Sequence, residues 1–383
     1  MADFEGLLEV NRKICKQQMA EKASPTLPTN CAVLPLLAEG GFPVRQRLVW
    51  LVLLIALPVT LMLGICLGSV RLPLGDTLRI LWAGLTGTTS SGGYQEAIVL
   101  SVRLPRVLCV ALTGASLSLC GAAMQGLLRN PLADGSTLGV SSGASLGAIL
   151  AILLGISFPG LPFAGTMVMA MLFAFGSLML VLALAYVFDK SLSTGTIILV
   201  GVIFSMFVSS LMSLLITFAG EKLKTITFWT LGSLSGSTYR NALTLLIALL
   251  LCGGLLMRLA PELNAFALGE EQAQHLGVPV RRVKLLVMAA VSVLLGVCVS
   301  IGGTIGFVGL IIPHMMRMLL GPDHNRLLPA SLLAGASFLL LADLAGRSLF
   351  SPLELPIGVV TSLVGAVVFI VIFYRSRKRG TVC

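Results

Sequence analysis

The chain has 383 residues, of which 56% are hydrophobic and 11% charged, and its mean hydropathy is +1.00. Soluble domains carry about a quarter charged residues, so a fold this poor in charge must face lipid over most of its outside, which excludes a soluble globular protein. The formal net charge of +10 comes without a long basic tract or an RNA-binding aromatic pattern, which excludes nucleic acid as a partner. The expected class is all-α, a polytopic membrane helical bundle in contact with membrane lipid.

Residues 1–44 are mixed and polar, with Pro25, Pro28, Pro35 and Pro43 and no apolar signal-peptide core. They read as a flexible N-terminal cytoplasmic extension before a membrane domain over 45–383. A helix crosses the hydrocarbon core in about 20 apolar residues. By that measure ten spans are expected, near 48–68, 103–128, 137–155, 163–187, 196–219, 242–259, 285–302, 305–320, 328–345 and 356–374. The first follows Arg45 and Arg47 and is expected to remain uncleaved, while Pro313 and His314 interrupt the eighth. Lys and Arg are more frequent in one set of loops, which places both termini in the cytoplasm of a multi-pass protein of the cytoplasmic (inner) membrane. The tail Arg375, Arg377, Lys378 and Arg379 then reads as a cytoplasmic anchor.

Polar features stand out against this background. Arg103 and Arg106 flank a proline in "VRLPRVLCVAL", where a loop meets the second span. They either anchor the helix end by snorkelling or receive carboxylates of another protein in forked geometry. In "GVSSGASLG", Gly139, Gly143 and Gly147 stand four apart, a spacing that puts them on one face and lets helices approach closely in lipid. Between spans six and seven lies "PELNAFALGEEQAQHLGVPVRR". Pro261 starts a helix there, Glu262 sits in its first turn, and Gly277 and Pro279 stop it. Gly269 splits the stretch into two short helices, with Leu263, Phe266 and Ala267 as an apolar edge and Glu270, Glu271 and Gln274 opposite. A capped helix with an apolar edge suits docking into a groove. Glu271 and His275 stand at i,i+4, but two ligands are too few for a metal. In the ninth span, "LLLADLAGRSLF" sets Asp343 and Arg347 at pairing distance.

The eight cysteines do not group, and His275, His314 and His324 are dispersed, so no metal or cofactor is expected. Walker A, GxSxG and HExxH patterns are absent, as are nucleophile–base constellations within the spans. These absences exclude ATP hydrolysis by this chain and name no catalytic residue; the expected class is a transporter, not an enzyme. An ion-coupled secondary transporter is the rival, and Asp343 is its only candidate coupling acid.

Eight motifs in order carry a specific likeness: "RLPR" (103–106), "GAAMQGLLRNPLAD" (121–134), "LGVSSGAS" (138–145), "ALGEEQAQHLG" (267–277), "GFVGLIIPHMMR" (306–317), "DHNRLLPAS" (323–331), "LLADLAGR" (340–347) and "ELPIGVV" (354–360). Over roughly 48–375 the chain resembles the FecCD-type permease subunits of ATP-binding-cassette (ABC) importers for iron–siderophores, haem or vitamin B12. The resemblance implies the type II importer architecture and transport of an iron–siderophore-type chelate by alternating access, with haem, cobalamin or an oxyanion as other substrates. It implies a second permease chain as partner, in a homo- or heterodimer, two cytoplasmic ABC ATPase subunits that hydrolyse the ATP, and a substrate-binding protein. It further implies coupling helices at 262–277, with Leu268, Gly269, Glu270, Glu271, Ala273, Leu276 and Gly277 meeting the ATPase. By the same likeness Arg103, Arg106 and Arg347 receive the binding protein, and Ser193 and Thr194 in "SLSTG" form a cytoplasmic gate. Against the resembled family, Gly135 stands where many relatives have proline, Val367 where proline is usual, and Gly195 where a second hydroxyl can occur.

Overall fold

The computed structural model describes residues 44–68, 72–87, 93–156, 164–349 and 353–378. The expectations for residues 1–43 and Arg379, and for the side chains of Arg375, Arg377 and Lys378, lie outside the described residues.

The described chain is helical, with no strand among the described residues. In order the helices are α1 (Val44–Cys66), α2 (Leu74–Thr86), α3 (Gly93–Leu127), α4 (Val140–Leu154), α5 (Ala164–Phe188), α6 (Thr194–Thr217) and α7 (Leu223–Thr230). There follow α8 (Tyr239–Arg258), α9 (Ala260–Phe266), α10 (Glu270–His275), α11 (Val280–Gly302), α12 (Val308–Leu320), α13 (His324–Ser348) and α14 (Ile357–Lys378). Each expected span is one of these helices. Seven are long and apolar enough to cross a membrane, and the apolar parts of α4, α12 and α14 are shorter. The interrupted eighth span is only the 13 residues of α12, with Pro313 inside it. At 1.5 Å per residue it is about 20 Å long, short of the hydrocarbon core.

Three helices form the hub. In α3, α11 and α13, 83%, 72% and 67% of the spanning residues are buried, against 22–28% in α1, α5, α6 and α8. Lipid supplies no hydrophobic drive between apolar helices, so close backbone packing has to hold the hub. Where α3 crosses α13, a Cβ on either Gly114 or Gly335 would collide with the carbonyl of the other. Similarly, Gly143 and Gly147 lay α4 on α5, against the backbone of Phe173 and Met169. Gly139 does not extend that face as expected. It is the N-cap of α4, with φ +73°, and ends the preceding turn.

Two features lie outside what apolar run length reveals. First, α2 and α7 are short amphipathic helices: α2 buries Thr77 and Ile80 while Leu74, Leu78 and Trp82 are exposed. Second, α3 begins at Gly93, well before the expected start at 103. Pro105 has no N–H to continue the ladder and reads as a boundary, but a π turn over Ile98–Arg103 absorbs the missing bond and the helix continues. Arg103 and Arg106 therefore belong to one continuous helix, not to a loop junction.

Candidate functional site

The chain concentrates polar chemistry at its two ends. At the first, the carboxyl end of α8 turns through α9 and α10 into α11. Pro261 starts α9, and Gly269, with φ +119° and ψ 155°, makes the break before α10. Few residues other than glycine reach that backbone geometry. Two short helices meeting at Gly269 is thus what forms. The apolar edge is corrected: Leu263 and Phe266 are fully buried, so they seat α9 on the bundle instead of lining a docking face. Ala273 is also fully buried and does the same for α10. What faces outward is Leu268, Glu271, Leu276 and Gly277, with Leu268 and Leu276 64% and 65% exposed. Asn264 fastens α9 to the start of α13, donating to Asp323 Oδ1 at 2.8 Å and accepting from the His324 N–H at 2.8 Å.

Glu270 points the other way. Its Oε1 accepts from Thr194 Oγ1 at 2.9 Å and its Oε2 lies 2.6 Å from Lys284 Nζ. Two of the expected sites, "ALGEEQAQHLG" and "SLSTG", are therefore in direct contact. The loop between α5 and α6 is ordered by Asp189, which accepts from Ser191 N at 2.9 Å, Ser191 Oγ at 2.6 Å and Ser193 N at 3.1 Å. Those Ser191 and Ser193 donors favour the charged carboxylate and hold it well below the usual carboxylate range. Ser193 is the N-cap residue of α6, and its hydroxyl pairs with Thr196 Oγ1 at 2.9 Å. No motif in the sequence singles out Lys284. Its place as the fifth residue of a 23-residue apolar helix was the available signal.

At the opposite end, Arg103, Arg106 and Arg347 gather around the carboxyl end of α1. Arg103 Nη1 donates to the Ile65 and Cys66 carbonyls at 2.7 and 3.1 Å, and Arg347 donates to that of Gly64. Cations at these last carbonyls satisfy groups that the helix leaves unbonded and complement its dipole. Asp343 sits between the other two arginines: Arg106 Nε and Nη2 donate to its Oδ1 at 3.0 and 2.9 Å, and Arg347 Nε lies 3.1 Å from its Oδ2. The i,i+4 pair read from the sequence forms, with Arg106 as a third member. Arg103 and Arg347 are each 5% exposed. Arg106 reaches the surface through Glu354, 2.9 Å from its Nη1 and itself 46% exposed.

Between the ends is a cavity of about 240 Å³, lined by Asp134, Ser141, Ser142, Ser145, Thr304 and apolar neighbours. Gly135 starts the turn beside it, and a Cβ there would displace Leu295. Val367 is exposed on α14.

Comparison with known proteins gives this arrangement a context. Residues 53–375 match the FecCD transport family. An uncharacterized ABC transporter permease protein, YvrB of Bacillus subtilis, is 44% identical over 85% of this chain and 92% of its own length. The molybdate import system permease protein MolB of Haemophilus influenzae is 40% identical, covering 86% and 96% of the two chains. The vitamin B12 import system permease protein BtuC of Klebsiella pneumoniae is 39% identical over 88% and 96%. A solved structure described as an inward-facing metal-chelate type ABC transporter superposes with a TM-score of 0.75 at 36% identity, covering 86% of this chain and 99% of that one.

Proposed function

We propose, since this chain belongs to the FecCD transport family, that it forms the membrane path of an importer for a metal chelate, with a ferric siderophore as the first candidate. The chain is a multi-pass ABC importer permease of the type II fold; its substrate, partners and orientation are the proposal. A metal chelate is favoured by the likeness to a transporter described as of the metal-chelate type. Cobalamin is the second reading, favoured by the relatives named for vitamin B12 import. An ion-coupled transporter is disfavoured because the coupling acid read from the sequence, Asp343, is locked between two guanidinium groups.

The observation that carries the mechanism is the two-sided character of α10. Leu268, Leu276 and Glu271 face outward, while Glu270 holds the gate loop at Thr194. A cytoplasmic ATPase seated on the outward face would move α10, and the gate would follow. The end bearing α9 and α10 is then cytoplasmic, together with the amino end of α1, and the arginine end faces a substrate-binding protein. There a foreign carboxylate reaches Arg106 by replacing the exposed Glu354, while Arg103 and Arg347 hold α1 beneath it. The cavity beside Asp134 lies on the substrate path, and a second permease chain closes that path.

The test is Leu268→Glu together with Leu276→Glu, assayed by co-purification of ATPase subunits and by ATP-driven uptake of ferric siderophore, haem, cyanocobalamin and molybdate. Burying a leucine contributes about 1.5–3 kcal/mol, so ATPase association should weaken at least roughly tenfold and uptake should fall with it. Unchanged association would refute the docking assignment, and uptake of molybdate alone would refute the chelate.

A further inference from the structure

Lys284 has no part in a docking face or a substrate path, yet it occupies a costly position. An ammonium within a membrane-crossing helix is unfavourable unless it is paired, and Lys284 is 2% exposed. Its Nζ lies 2.6 Å from Glu270 Oε2 and donates to the Leu192 carbonyl at 3.0 Å. The other Glu270 oxygen accepts from Thr194 Oγ1 at 2.9 Å. One buried cation therefore joins α10, the gate loop and α11. Leu192 is itself held in an unusual backbone state, with φ +53°, a region that leucine rarely adopts without support from its surroundings.

We propose that Lys284 is a positioning residue that makes the gate loop travel with the coupling helix. A displacement of α10 moves the Glu270 carboxylate. Thr194 is bonded to that carboxylate directly, and Leu192 through Lys284, so the loop is held at two points two residues apart. Without Lys284, Glu270 holds the loop through the Thr194 hydroxyl, a single rotatable bond that can stretch or swing while the loop stays behind. The inference rests on the reading of α10 as the ATPase-docking element.

The experiment uses spin labels at Gly195→Cys and Gln274→Cys, with the eight native cysteines replaced. A Cβ at Gly195 meets no atom within 4 Å, and Gln274 is exposed, so both sites accept a label. In the reconstituted complex with its ATPase subunits, the distance between labels should stay narrow and unchanged when ATP is added. Lys284→Met should broaden it. Uptake of the accepted substrate per ATP hydrolysed should fall on the order of tenfold, the loss expected from one charge-assisted tie, while hydrolysis continues. Lys284→Arg, which keeps a charged donor for both Glu270 and the Leu192 carbonyl, should keep both properties. A lysine that merely filled space would be replaced by methionine without loss of either property. The proposal is overturned if Lys284→Met leaves the distance and the uptake ratio unchanged, or if Lys284→Arg is as uncoupled as Lys284→Met. Should Lys284→Met not fold, Glu270→Gln removes the same ion pair from its partly exposed side and is held to the same outcomes. Measuring the distance in the permease without ATPases separates the two failures. Loosening there, with no ATPase association in the wild type, refutes the docking reading; no loosening refutes the tie.

Discussion

Replacing Asp343 with asparagine tests the electrostatic account of the arginine end. The carboxylate is 2% exposed and stands within 3.1 Å of guanidinium groups from α3 and α13. At an effective dielectric of about 20, two unit charges 4 Å apart attract by about 4 kcal/mol. Asp343 has two such partners, but the desolvation of all three ions offsets much of that gain. Removing Asp343 leaves Arg347 buried without its paired carboxylate, and the cost of breaking such a pair is about 3–5 kcal/mol. Glu354 makes the same contact to Arg106, at the same 2.9 Å, but is 46% exposed, so Glu354→Gln should cost no more than about 1 kcal/mol. Denaturant titration of the purified permease in a single detergent, followed by helical circular dichroism, gives both values. Equal losses for the two variants, within about 0.5 kcal/mol, would refute the argument that burial sets the strength of this network. Replacing Asp343 with leucine and Arg347 with methionine together should cost less than Asp343→Asn alone, because Arg106 keeps Glu354 and Arg347 no longer needs a counter-charge.

Gly335→Ala should destabilise the bundle by about 1–3 kcal/mol through overpacking against the Gly114 carbonyl. Gly254→Ala, with no atom within 4 Å of the new methyl, should instead stabilise it by about 0.5–1 kcal/mol, and the same titration reads both. For the loop between α5 and α6 the pH dependence has a definite sign. The Ser191 and Ser193 hydrogen bonds lower the folded pKa of Asp189. Their stabilisation is therefore fully present above the ordinary carboxylate value of about 3.9 and is lost as pH falls through the folded value. Amide exchange at Ser191 and Ser193, corrected for its intrinsic pH dependence, should stay protected between about pH 7 and pH 5 and loosen only in stronger acid. An apparent midpoint at or above about pH 4 would refute that reading.

The helices were legible because apolar run length and loop charge follow directly from the lipid environment. Partner choice among side chains was not. The pair Asp343–Arg347 was readable since i,i+4 neighbours meet on any helix. Arg106 and Glu354 are separated by 248 positions, and no local spacing predicts their contact. The same holds for Thr194 and Glu270, 76 positions apart, which is why two stretches read separately turn out to share one site. Leu263 and Phe266 were misassigned because an apolar edge on a short helix looks alike whether it meets a partner or the helix's own bundle. Only burial separates the cases, and Leu268 and Leu276 hold the outward position. Pro105 misled the boundary of α3, since a π turn can absorb what proline removes.

The ion triad also bears on the order in which the protein can be completed. Arg106 is synthesised on α3, early in the chain, whereas Asp343 and Glu354 emerge only with α13 and the turn after it. A charged residue at the centre of a helix entering the bilayer costs about 2.5–3.5 kcal/mol on insertion scales. Asp343, near the end of α13, meets a guanidinium already in place, so a late and comparatively polar helix has a binding site waiting in the nascent bundle. Until residue 343 arrives, Arg106 stands without either of its carboxylates, and a chain cut short before that point carries an uncompensated charge that marks it as unfinished.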